Sequence, residues 1–222
     1  MIKALAIKEL REILGIALLG LAAELFLVAG VIGVPPFRQM SQSMLGLAED
    51  VPFIGSSFFG FSCIAAAALA IALGFRQSAW ENGKGAYQFL LHRPLRRETI
   101  FLTKLGIGVA VFLACVALPI LLYALWAAVP GTHPSPFQWS MTSRSWQACL
   151  IVPLLYAGAF LSGLRPGRRF GTQLLPLVAT TFPTSMMLTF PLPWLVVLPL
   201  LLMLYGALVT NICYVARMRE YS

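Results

Sequence analysis

Uncharged apolar runs long enough to cross a bilayer recur along the chain, each bounded by charge or by turn residues, and they predict six helical spans. The first covers residues 13–34 and stops at Pro35 and Pro36; the second covers 52–75 and stops at Arg76. The third, 100–129, is longer than a hydrocarbon core of about 30 Å requires. Lys104 falls in its first turns, so this span should start inside the headgroup layer or tilt. The fourth, 146–164, is the shortest. The fifth and sixth fill 170–215, divided by "FPLPW" at 190–194, whose two prolines a continuous helix would not tolerate. The pattern predicts an all-α polytopic membrane protein with a single transmembrane domain over residues 1–222.

Composition agrees with this. The chain is 59% hydrophobic and 11% charged, where a soluble domain carries roughly a quarter charged residues. The placement of charge then orients the spans. Of the 16 Lys and Arg residues, all but Arg38 and Arg144 fall at the chain ends or in the even-numbered loops. The positive-inside rule therefore predicts both termini in the cytoplasm and an inner-membrane location. The net charge of +8 is accounted for by this bias together with attraction to anionic lipid, and calls for no nucleic acid. Lys3, Lys8 and Arg11 precede an apolar run as in a signal peptide. That run exceeds the usual 7 to 15 residues and no A-x-A site follows it, so it is expected to stay as a span. Cys63, Cys115, Cys149 and Cys213 lie singly in apolar runs, as small buried hydrophobes do.

Several membrane chemistries are excluded. The two histidines, His92 and His133, form no H-E-x-x-H pair. "FLSGL" around Ser162 lacks the glycine two residues before the serine of a rhomboid-like motif, and neither histidine is placed to serve as its base. Gly83-Lys84 lacks the flanking residues of a phosphate loop. No catalytic residue, metal ligand or cofactor site is expected in this chain, and no loop is long enough for a soluble catalytic domain. Energy or instruction must come from a partner.

Residues 76–99 carry the most information. Ser78-Ala79-Trp80-Glu81 has the S-x-x-E form of a capping box, which predicts a short helix starting at Ser78. Trp80, Tyr87, Leu90 and Leu91 recur at roughly helical spacing as a membrane-facing side, with Lys84 free to snorkel. Gly83 and Gly85 make this helix marginal by about 1 kcal/mol each, and Pro94 ends it at Arg93. A basic loop hugging lipid explains the charge, but a capped amphipathic helix suits docking.

Glu81, Gly85, Leu90-Leu91, Pro94, Arg97 and Lys104 resemble the cytoplasmic signature of ABC transporter permeases of the ABC-2 type, E-x-x-x-G-T-L-x-x-L-L-x-x-P-V-S-R before the third span. Ala86 stands where that family usually has threonine, and Leu95-Arg96 replaces Val-Ser. "MIKALAIKELRE" (1–12) is similar to the family's amphipathic entry helix, with Ile2, Leu5, Leu10, Ile13 and Leu14 available to lie on the bilayer. The resemblance covers the first half of the chain. It implies a permease subunit, homo- or heterodimeric, carrying two separate ATPase subunits that bind ATP and Mg. The segment at 76–99 would be the coupling helix, with Ser78, Glu81, Gly85, Tyr87, Pro94, Arg97 and Lys104 as ATPase-coupling residues and Glu81 as polar anchor. The resemblance further implies export, with the substrate unspecified.

Glu24 interrupts the first span, where a central carboxylate costs about 2.5–3.5 kcal/mol on insertion scales, so it should avoid lipid. It shares a helical face with Ala17, Gly20, Val28 and Val31, which favours a packed interface over a substrate or proton path. Thr180, Thr181, Thr184 and Asn211 are candidate polar partners. The prolines of the last two spans suit either a gate or simple helix termination. The stretches 35–51 and 130–145 read as short external loops, with His133 exposed in the second. Two competing functions stay open: a six-span scaffold or assembly protein whose cytoplasmic segment binds another partner, and a proton-coupled carrier working through Glu24.

Overall fold

The computed structural model describes residues 2–45, 51–54, 56–83, 97–133, 136–165 and 170–218. Among them every regular element is helical. The order is α1 (Ile2–Ile32), α2 (Pro35–Leu45), α3 (Ser56–Gly83), α4 (Arg97–Ala128), a 3₁₀ turn (Trp139–Thr142), α5 (Ser143–Ile151), α6 (Pro153–Leu164), α7 (Phe170–Thr189) and α8 (Trp194–Met218). Five stretches are long and apolar enough to cross a membrane: Lys3–Ile32, Ser57–Trp80, Glu98–Ala128, Trp139–Leu164 and Trp194–Arg217. α7 occupies the predicted fifth span, but Pro176, Pro183 and its hydroxyl residues keep it below the hydropathy of those five. The division at 190–194 holds, because α7 ends at Thr189 and α8 begins at Trp194.

The bundle is arranged around α6, in which every residue from Pro153 to Leu164 is buried. α3 and α7 pack on either side of α6, α1 packs against α3 and α4, and α8 rests on α4 and α6. Burial separates centre from rim: in the most apolar 18 residues of Trp139–Leu164, 83% of the residues are buried, against 17% in those of Trp194–Arg217. The rim is apolar as well, with Leu195 86%, Leu202 74% and Leu19 73% exposed. In a soluble chain such surface would aggregate; against lipid it is the ordinary state.

Four expectations are corrected. The entry segment and first span form one helix, α1, whose buried stripe is Leu5, Glu9, Ile13 and Ala17, while Leu10 and Leu14 stay exposed. Leu5 and Ile13 therefore face the bundle and not the bilayer, since the 3.6-residue period turns them away from Leu10 and Leu14. No helix starts at Ser78. α3 runs through it, and Ser78 Oγ donates to the Gly74 carbonyl at 2.6 Å. A serine inside a continuous helix has that carbonyl one turn back within reach, so it bonds there instead of capping. The fourth span remains one membrane-long stretch within Trp139–Leu164, but its hydrogen-bond ladder is interrupted at Pro153, which has no N–H and opens α6. Residues 35–45 are helical, with Pro35 at the first position and Phe37 packed edge-on against Phe26, ring centroids 5.8 Å apart.

The two ends of the bundle differ. At one, Phe53, Phe58, Tyr123 and Phe137 cluster, with Phe53 and Tyr123 centroids 4.4 Å apart. His133 belongs to this end and is not a free loop residue: its Nε2 lies 2.7 Å from the Ala127 carbonyl, where α4 has run out of amide donors. At the other end the start of α1, the start of α4 and the end of α8 meet, joined by contacts of Lys104 with Glu9 and of Arg217 with Glu98.

Candidate functional site

The polar residues that the fold withdraws from solvent gather at this second end. On α1, the i, i+4 spacing that buries Leu5 and Ile13 carries Glu9 inward between them, to 0% exposure. On α4, Ile100, Phe101, Lys104 and Leu105 turn inward for the same reason, and Lys104 is also 0% exposed. Its Nζ lies 2.9 Å from Glu9 Oε1, and Lys8 Nζ approaches the same oxygen at 3.6 Å. Removing two charges from water is costly, and their attraction compensates only when the geometry is close, as it is here.

The Lys104 peptide is also engaged, through longer contacts. Gln77, in the last turns of α3, donates from Nε2 to the Lys104 carbonyl at 3.4 Å. Tyr156 of α6 donates its hydroxyl to Gln77 Oε1 at 2.6 Å, with the Lys104 and Leu105 carbonyls 3.4 and 3.5 Å away. Two glycines make this approach possible. A Cβ on Gly108 would lie 2.0 Å from the Tyr156 hydroxyl, and one on Gly163 would lie 2.0 Å from Ser78 Oγ. Beside them Ser162 Oγ accepts from the Leu177 amide at 3.1 Å, next to Pro176, which interrupts the ladder of α7. The result is a buried polar knot joining α1, α3, α4, α6 and α7.

The predicted coupling residues divide into three groups. Ser78 and Lys104 lie inside the knot, both shut off from solvent by the chain itself. Glu81 stands in the last turn of α3 and Arg97 begins α4, as far as the backbone goes. Gly85, Tyr87 and Pro94 lie outside the described residues. Trp80, assigned to the membrane-facing side, is 55% exposed and has the Arg76 guanidinium 4.8 Å above its ring.

Sequence reasoning passed over Glu9, Gln77 and Tyr156, and treated Ser162 only as a failed nucleophile. A signal existed for Glu9, whose neighbours at i−4 and i+4 are both apolar. Gln77 and Tyr156 give none, because which residues they meet depends on how α3, α4 and α6 cross.

Glu24 forms a second, separate feature. It is 1% exposed, and Ala17 and Val28 on its face are 4% exposed, as expected of an interface position. Gly20 lets α3 come close, since a Cβ there would be 2.6 Å from Leu69 Cδ1. Ser62 Oγ donates to Glu24 Oε2 at 2.9 Å, while Oε1 has no hydrogen-bond partner. Of the anticipated partners, Thr180, Thr181 and Asn211 bond to carbonyls of their own helices at 2.8, 2.7 and 2.8 Å, while the buried Thr184 hydroxyl makes no hydrogen bond among the described residues.

Among the described residues no three His, Cys, Asp or Glu side chains are grouped to hold a metal ion. A knot of this kind fixes several helices relative to one another. Compared with known proteins, the chain matches no family model and no curated sequence.

Proposed function

We propose that this chain is the membrane subunit of an ATP-driven transporter of the ABC-2 type, acting as an exporter. In this reading it has six spans with both termini in the cytoplasm and works as a dimer. Two ATPase subunits supply ATP and Mg and seat against the segment between α3 and α4. The Lys and Arg distribution supports the orientation, and Glu81, Leu90-Leu91, Pro94 and Arg97 support the docking role.

The observation that carries the reading is the placement of the knot. Gln77 lies in the last turns of α3 and Lys104 in the first turns of α4, so both helices that flank the docking segment in sequence are tied to α1 and α6. A push on the segment is then passed to the core and not absorbed by a loose loop. ATPase closure would bias the packing of the helices in this way.

Co-expression with the ATPase encoded beside this chain, followed by purification, tests the reading. A stable assembly is expected, and Glu81→Lys should abolish it. An ATPase that never associates, or an assembly indifferent to Glu81→Lys, would refute the proposal. Within an assembly, Glu9→Gln with Lys104→Met should leave ATP hydrolysis present but uncoupled from conformational change, read by crosslinking across the α1–α4 seam.

A further inference from the structure

Glu24 has no part in the knot, and its surroundings are chemically specific. One carboxyl oxygen accepts from Ser62; the other is buried without a partner, and no cation pairs with either among the described residues. The elements packed against this stretch of α1 offer few groups that could compensate a charge. α3 presents the Cys63 thiol next to Ser62, and the Cys149 thiol of α5 also senses Glu24. α4 presents Cys115, whose Sγ donates to the Ala17 carbonyl, and Tyr123, enclosed in the aromatic cluster. Arg38 of α2 is exposed. Arg144 lies over the Phe59 ring of α3 at 4.4 Å, donates to the Leu188 carbonyl and reaches Cys63 electrostatically, but forms no ion pair with Glu24 among the described residues.

An ionised carboxylate with a single hydroxyl donor, in the middle of an apolar bundle, is the arrangement that proteins avoid. A metal or alkali ion would need several more oxygen ligands than Glu24 and Ser62 supply. One small cation satisfies the geometry as it stands. We propose that Glu24 is a proton-binding site on the α1–α3 seam: it holds a proton on Oε1 in the packing described here, and loss of that proton to water loosens the seam. The step is a simple acid dissociation, with the O–H bond pair left on Oε1 and the proton taken by water entering between α1 and α3. Ser62 remains the donor to Oε2 in both states and so marks the carbonyl oxygen of the neutral acid. The site is independent of any ATPase.

Infrared difference spectroscopy of the full chain in lipid vesicles at neutral pH tests this, because exposed carboxylates are ionised there and contribute no protonated-carboxyl C=O stretch. A band of that kind is expected, downshifted by deuterium exchange and missing from Glu24→Gln. Ser62→Ala keeps the carboxyl and must move the band upward by removing its hydrogen bond, which holds the assignment to account even if Glu24→Gln fails to fold. Absence of the band, or its survival unmoved in these variants, overturns the site. Alkylation of Cys63 by a membrane-permeant maleimide reports the seam. It should quicken several-fold more with rising pH in the native chain than in Glu24→Gln, where the same thiol titrates without the carboxyl. Equal pH dependence in the two would overturn the loosening.

Discussion

Glu9 and Glu24 stand on the same helix, both shut off from solvent and separated by about 22 Å of helix axis. The bundle treats them in opposite ways. Glu9 meets a lysine from α4 at 2.9 Å, inside a knot that reaches five helices. Glu24 meets one hydroxyl from α3 and leaves an oxygen bare. A buried charge that is paired fixes a register between helices, because either partner alone is costly. A buried carboxyl without a counter-ion fixes little, but it is poised to change state. The first suits a rigid joint and the second a responsive one.

The largest expected effect lies in the joint. Lys104→Met alone takes from Glu9 its buried counter-ion, leaving the half-exposed Lys8 at 3.6 Å, and should destabilise the fold by about 3 kcal/mol, measured by thermal or chemical unfolding in detergent. Adding Glu9→Leu should recover most of that loss, and a double variant no better than the single would show that the pair is not what holds α1 to α4. Next comes Gly108→Ala, which forces a methyl group against Tyr156 and Gln77 and should cost about 1–3 kcal/mol; a neutral result in the same assay would mean that α4 and α6 do not touch as described. Glu24→Gln is expected to be milder, within about 1 kcal/mol, because the amide keeps an acceptor for Ser62 and replaces a neutral acid with a neutral group. A loss as large as that of Lys104→Met would erase the contrast between the two carboxylates. Smallest of all is Arg217→Ala: Arg217 is 69% exposed where it meets Glu98, and exposed ion pairs commonly contribute nothing measurable. A clear drop in melting temperature there would extend the rigid end outward to α8.

Much of the architecture was legible before any contact was known. Hydropathy placed α1, α3, α4 and α8 and the proline break before Trp194, because each follows from the local demand that a backbone in lipid satisfy its own hydrogen bonds. The avoidance of lipid by Glu24 was legible for a similar reason. Ser78 shows where local signals fail: S-x-x-E is a start signal only if the preceding chain is not already helical, and here α3 continues through it. Lys104 shows the same from the side of charge. Near the end of an apolar run a lysine ordinarily snorkels, and nothing in its neighbours announces an acidic partner on another helix.

The sequence by itself determined that this is a helical membrane chain, where most of its helices lie, and which carboxylate sits in the middle of the first span. These properties depend on composition and on periods of a few residues, which a chain carries wherever it folds. Only the tertiary structure decided that Glu9 pairs with Lys104, that Gln77 and Tyr156 close the knot through the gap left by Gly108, and that Glu24 receives a single donor among the described residues. Those pairings join residues tens of positions apart. They are set by the crossing and rotation of helices whose apolar surfaces alone would accept several arrangements, and the few polar groups inside select among them.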